Sequence, residues 1–255
     1  MIDKLVDPKA APEKVAEGFK FTEGPVFSRR GYLLFSDIPN NRIHKWERGK
    51  LTTYRENSNG ANGLTFDHQG RLLACENGRV TRTEKDGKIT VLAGDLKRPN
   101  DVVYAIDGSV YFTDLPAGVL YHITRTGEVR AASRECQRPN GVALAPNQLK
   151  LYAADVGTQT IRVWEVEGGG SLKNGRIFAA GVRADGIKTS ESGHLWAASA
   201  GGIQVFDADG KVAGTVKFPE PPSNLAWGEG FRGLYVTART SVYRIPTLVS
   251  GTRTY

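Results

Sequence analysis

Six residues with oxygen-bearing side chains recur at one place in a repeating phrase: Glu23, Asn62, Asn100, Asn140, Asp185 and Asn224. Each opens a short apolar run, followed by a turn and a second apolar run. From Asn140 the chain reads Gly-Val-Ala-Leu-Ala, turns at Pro146-Asn147-Gln148, and continues through Leu-Lys-Leu-Tyr-Ala-Ala to Asp155. The six positions are separated by 39, 38, 40, 45 and 39 residues. Brought together, they make a ring of amide and carboxylate oxygens with two negative charges, on Glu23 and Asp185, and no thiol or imidazole. Such a set suits a hard divalent cation, Ca²⁺ first and Mg²⁺ or Mn²⁺ next. Two carboxylates balance a 2+ charge and limit the cost of desolvating it. Taken one at a time, Asn-Gly, Asp-Gly and Glu23-Gly24-Pro25 are also ordinary turn formers. Their common position in six units, none of which places an apolar residue there, favours a metal or polar-ligand site.

The period near 40 residues identifies the elements that must position this ring. Four strands of ~5 residues joined by short turns use about that length, and a repeat of this size with several strands is the pattern of a β-propeller blade. Third strands follow as alternating runs at Arg42–Trp46, Arg79–Arg82, Val119–Ile123, Thr160–Trp164, Gly202–Phe206 and Ser241–Ile245. Alternation suits strands with one face packed on a neighbour. The expected fold is all-β, a single six-bladed β-propeller domain spanning residues 1–255, with the first strand of each blade lining the central channel. The last unit lacks a fourth strand, and residues 14–22 resemble the outermost strands of other units. The N-terminal segment is therefore expected to complete the last blade and close the ring. Residues 1–13 read as a loose arm.

Bulk properties narrow the function classes. The 255 residues carry a net charge of +7, but without a basic run or a nucleic-acid motif, so scattered surface charge is the simpler reading. Cys75 and Cys136 are the only cysteines and form no CxxC pair, which argues against a disulfide framework or structural zinc and fits a reducing, cytoplasmic location. No secretory leader or membrane span is legible. Neither a nucleic-acid nor a membrane partner is expected, and a monomer is. His44, His68, His122 and His194 fall on third strands or outer turns, away from the ring. Asp37, Asp114 and Asp155 end second strands and read as caps. Trp46, Trp164, Trp196 and Trp227 read as inter-blade core. No GxSxG elbow is present.

The chain resembles the senescence-marker-protein/gluconolactonase family, also called regucalcin-like, whose members are six-bladed propellers. The resemblance is carried, in order, by Glu23-Gly24-Pro25, by Arg98-Pro99-Asn100-Asp101 with Gly108-Ser-Val-Tyr-Phe-Thr-Asp114, by Arg138-Pro139-Asn140-Gly141 and by Ala184-Asp185-Gly186. It implies one divalent metal bound by Glu23, Asn140 and Asp185, with Asn100 beside it as ligand or substrate contact. Ca is the first expectation, with Mg, Mn, Zn or Fe as alternatives. It further implies substrate contacts from Arg98 and Asn62, Asp185 as candidate catalytic base, and a small-molecule lactone as substrate. The segments Cys75–Gly78 and Asp114–Gly118 depart from the family's usual pattern at the expected rim of the pocket. Two other readings stand beside a metal-dependent lactonase: hydrolysis of other esters or organophosphates at the same centre, and a non-catalytic propeller that binds a ligand or Ca²⁺.

Overall fold

A computed structural model describes residues 2–253. Over these residues the chain forms six four-stranded antiparallel sheets, which we number as blades in the order of their first strands. Blade one is built from Thr22–Ser28, Tyr32–Asp37, Arg42–Glu47 and Lys50–Glu56. The later blades repeat this hairpin order, and their first strands are Leu64–Phe66, Pro99–Tyr104, Pro139–Leu144, Ile187–Thr189 and Pro222–Gly228. The arrangement is a six-bladed β-propeller. Blade six takes its fourth strand from the other end of the chain. Glu13–Glu17 pairs antiparallel with Ser241–Pro246, placing Glu13 opposite Arg244 and Glu17 opposite Ser241. The closing strand is therefore shorter than the 14–22 segment and begins one residue earlier.

The core lies between the faces of adjacent sheets, where alternating strands bury one set of side chains. Tyr152 and Ala154 of blade four pack with Ile187, Ala197 and Phe206 of blade five. Trp196 of blade five meets Trp227 of blade six edge to face at 5.2 Å between ring centres. The expected loose arm is otherwise: Leu5 and Val6 are 4% and 6% exposed and join the Trp196–Trp227 cluster. A short 3₁₀ turn, Ile2–Lys4, leads into them, and their burial offsets the entropy of ordering the segment. Trp164, Trp196 and Trp227 are buried as expected, whereas Trp46 is only partly so. Among the described residues no helix is long and apolar enough to cross a membrane.

A candidate cation site in the propeller channel

Every seam between neighbouring blades is crossed by a hydrogen bond made at, or next to, a ring residue. Ser36 Oγ donates to the Asn62 carbonyl at 2.8 Å, and Gly63 N to the Asn100 carbonyl at 2.8 Å. Thr113 Oγ1 donates to the Asn140 carbonyl at 2.5 Å, Gly141 N to the Asp185 carbonyl at 3.1 Å, and Gly186 N to the Ser223 carbonyl at 2.8 Å. Ser223 Oγ closes the circuit on the Thr22 carbonyl at 2.7 Å. This circuit explains the glycines that follow the ring residues. A Cβ at Gly63 would lie 2.6 Å from the Asn100 carbonyl oxygen, and one at Gly141 would lie 2.4 Å from that of Asp185. These glycines admit the next blade's backbone at the axis. Gly63 and Gly141 are thus not the ordinary turn glycines that Asn-Gly suggests; neither has a positive φ.

The first strands are also bulged where they begin. In blade three Pro99 pairs with Asp114 and Val102 with Phe112, so Asn100 and Asp101 together oppose Thr113. Blade four repeats this at Asn140-Gly141, and blade one at Gly24-Pro25. Bulges re-aim side chains and are frequent beside functional sites. The aspartates that end second strands hold the preceding loops. Asp114, fully buried, accepts from Lys97 N at 2.8 Å and Arg98 N at 3.0 Å. Asp155 does the same for Gln137 N and Arg138 N, both at 2.9 Å. The first pair fixes the loop from which Arg98, itself exposed, leaves the structure.

The structure joins four of the ring residues in two hydrogen-bonded pairs, Glu23 with Asn224 and Asn140 with Asp185. Glu23, 4% exposed, accepts from its neighbour Gly24 N at 2.7 Å and from Asn224 Nδ2 at 3.1 Å, both at Oε2. Asn140, 8% exposed, donates to the Asp185 carboxylate. Burial, then the negative charge of Asp185, pushes the Glu23 carboxyl well above the usual range. Burial, then the charge of Asp101, lifts Asp185 to about 7. Glu23 and Asp185 therefore share the channel and repel one another when ionised. Asn62 Oδ1 is buried and has no hydrogen-bond partner, which is costly for an amide oxygen unless a ligand completes it. Asn100 is partly exposed, and its carbonyl serves the seam to blade two.

These features fit a divalent cation. Two carboxylates that resist ionising together, and an unmatched amide oxygen, would all gain from a positive charge. Among the described residues no three His, Cys, Asp or Glu side chains form a group able to hold a metal ion. A cation here would need amide oxygens beside Glu23 and Asp185, a donor set for a hard ion. The histidines lie elsewhere: His44 packs on Phe19 and Phe35, His122 stacks on Tyr111 at 4.6 Å, His68 bonds Tyr104, and His194 bonds Ser192. Cys75 and Cys136 are free thiols whose burial raises them, Cys136 to about 12.

Three charged residues of the channel were not singled out from the sequence. Asp101 takes the place that glycine holds after Glu23, Asn62, Asn140 and Asp185, and it is 1% exposed. Lys188 of blade five reaches it, with Nζ 3.5 Å from Oδ2. Arg183 precedes Asp185 by two residues, as Arg98 and Arg138 precede Asn100 and Asn140, and its charge acts on Asp185. The departure from glycine at 101 and the thrice-repeated arginine spacing were the available signals. At the other end of the inner strands a cavity of about 610 Å³ opens, lined by Phe27, Thr65, Val103, Leu144, Lys188 and Trp227 among others. None of the predicted site residues borders it; the convergent oxygen donors, rather than the larger void, mark the chemistry.

A six-bladed propeller with acidic and amide oxygens gathered at one end of its channel defines a class of proteins by geometry. Residues 21–240 match the SMP-30/Gluconolactonase/LRE-like region, and the chain belongs to that family. It is 28% identical to a gluconolactonase of Zymomonas mobilis subsp. mobilis over 98% of this chain and 85% of the relative. It is also 28% identical to the pentonolactonase XacC of Haloferax volcanii over 84% of this chain and 80% of that protein. The solved structure of XC5397 from Xanthomonas campestris, described as a gluconolactonase, superimposes with a TM-score of 0.90 at 26% identity, covering 96% of this chain and 92% of the other.

Proposed function

We propose that this protein is a divalent-metal-dependent lactonase that opens sugar lactones to the corresponding hydroxy acids. The observation that carries the proposal is the placement of buried Glu23 and part-buried Asp185 within electrostatic reach of one another, with the Asn140 amide on Asp185 and the unpartnered Asn62 oxygen at the matching ring position. Both gluconolactonase and pentonolactonase relatives support a sugar-lactone substrate.

Glu23, Asn140 and Asp185 would hold the ion, with Asn100 beside them, and Ca²⁺ is the first candidate for this oxygen set. Such an ion supplies polarisation of the lactone carbonyl and stabilisation of the oxyanion formed on attack. The protein's own groups do the rest. Arg98, on the loop braced by Asp114, donates charge-assisted hydrogen bonds to substrate hydroxyls or carbonyl. The Asn62 amide, whose oxygen has no internal partner, provides a further polar contact at the rim. Asp185 accepts the proton of the attacking water at a carboxylate oxygen while Asn140 orients it. Water adds to the carbonyl carbon, the ring C–O bond breaks, and the departing ring oxygen takes up a proton. A strained ester has a lower barrier than a peptide, so this small constellation is sufficient.

The test is acid release from D-glucono-1,5-lactone and from an aldopentonolactone, followed in a pH-stat against the spontaneous rate. Turnover is expected to fall to background after chelation and gel filtration, and to return with Ca²⁺, Mg²⁺ or Mn²⁺. Full activity in rigorously metal-free protein would overturn the metal-dependent mechanism. Tight ion binding without turnover of any lactone would support a binding propeller instead.

A further inference from the structure

Asp101 is a third carboxylate of the channel, yet it is not placed to be a ligand. Its Oδ1 accepts from Val102 N at 3.0 Å. Its Oδ2 accepts from Val142 N at 3.4 Å and from Lys188 Nζ at 3.5 Å. It is 1% exposed, and both of its carboxylate oxygens are already engaged by these donors. Its charge nonetheless acts on both Glu23 and Asp185. Left alone, it would make the channel one charge more negative than a divalent ion can neutralise.

Lys188 prevents this from the opposite side. It lies on the first strand of blade five, three residues after Asp185, and crosses to Asp101 of blade three. Its ammonium also donates to the Ile187 carbonyl at 3.0 Å, and its stem lines the cavity at the far end of the channel. The lysine thus stands between that cavity and the oxygen ring. Because the interior screens charge less than water does, one lysine here changes the potential at the ring substantially.

We propose that the Asp101–Lys188 pair sets the net charge of the channel to match a divalent ion. Among the groups withdrawn from solvent, Glu23, Asp185 and Asp101 are opposed by Lys188, which leaves two negative charges; Arg183 is exposed, and water screens its charge. The inference rests on the reading of Glu23 and Asp185 as cation ligands. Asp101 and Lys188 act through those ligands and are positioning residues.

The experiment measures Ca²⁺ and Tb³⁺ affinity of the full-length, metal-stripped protein, by calorimetry for Ca²⁺ and by Tb³⁺ luminescence with Ca²⁺ competition. Asp101→Asn leaves Lys188 unopposed and should weaken Ca²⁺ binding by about tenfold or more. Lys188→Met adds a net negative charge and should shift preference toward Tb³⁺ over Ca²⁺ by a similar factor. Lys188→Arg keeps the charge and should keep the wild-type preference. The decisive variant combines Asp101→Asn with Lys188→Met. It restores the original net charge and should return both affinities to within roughly threefold of wild type, a coupling that independent sites would not show. A double variant no closer to wild type than the single ones would overturn the charge-setting role while leaving the cation site intact. Failure of the wild-type protein to bind either ion would overturn the cation reading itself, and this inference with it.

Discussion

Asn224 Nδ2 donates to Glu23 Oε2 across 3.1 Å, joining two residues 201 positions apart at the seam where the last blade meets the first. Asn224 is in turn held by its own strand, with Oδ1 accepting from Leu225 N at 2.8 Å. Ring closure and the orientation of a candidate metal ligand are therefore one event. The strand Glu13–Glu17 completes blade six at its outer edge, while Asn224 and Ser223 join it to blade one at the inner edge.

Asn224→Ala removes the neutral donor from a buried carboxylate. A hydrogen bond to a charged group contributes ~1.5–3 kcal/mol. We expect Ca²⁺ affinity to fall by about tenfold and the melting temperature of the Ca²⁺-loaded protein to drop by several degrees. Calorimetric titration and thermal denaturation check both. Unchanged affinity would remove Asn224 from the site.

Gly141→Ala should be destabilising although alanine suits a strand better than glycine. The added methyl would stand 2.4 Å from the Asp185 carbonyl oxygen and 2.7 Å from Ile187 N, both backbone atoms. Overpacking of this kind costs ~1–3 kcal/mol, and it would strain the 3.1 Å bond from Gly141 N to Asp185. Gly168→Ala is the control, because nothing lies within 4 Å of its Cβ position. Urea midpoints should separate the two variants, with Gly168→Ala within about 0.5 kcal/mol of wild type.

Arg98→Ala and Asp114→Ala should differ in kind. The exposed guanidinium can be removed with little effect on folding, so Arg98→Ala should raise KM by about tenfold with an unchanged melting temperature. Asp114 is fully buried and takes the N–H groups of Lys97 and Arg98. Its removal leaves donors unmatched at ~1–3 kcal/mol each. Asp114→Ala should therefore lose stability and weaken substrate binding together. Steady-state kinetics beside thermal melts distinguish the two patterns.

Metal-free protein should lose stability as pH rises. The Asp185 carboxyl is held at about 7 in the folded chain against an ordinary value of 3.8. The folded state thus binds the proton more tightly than the unfolded one, and stability declines as pH climbs through the interval between those values. Glu23 is shifted in the same direction and steepens the decline. Melting temperatures of chelated protein from pH 5 to pH 8 should fall, and saturating Ca²⁺ should restore most of the loss at pH 8. A flat or rising profile would mean that folding does not raise these carboxyls, through burial first and neighbouring negative charge second.

Much of this molecule was legible as a line of residues. The spacing of Glu23, Asn62, Asn100, Asn140, Asp185 and Asn224 announces six units, because a blade must use nearly the same length of chain each time to reach the axis. The open edge after Ser241–Pro246 required a strand from elsewhere, since unpaired backbone groups would be left exposed. The turn chemistry and alternation of the third strands followed from local sterics, which act within a few residues.

What the tertiary structure decided is which neighbours the ring residues meet. Alternation would turn Asp101 away from the side to which Asn100 points, but the bulge opposite Thr113 breaks that rule. Lys188 acquires its role only because blade five faces blade three across the channel. Leu5 and Val6 look like part of a polar arm until the two tryptophans of blades five and six supply an apolar surface. Local sequence determines how often a chain returns to the axis. Which charges then face one another depends on distances across the ring, where electrostatics and packing join residues that no local pattern relates.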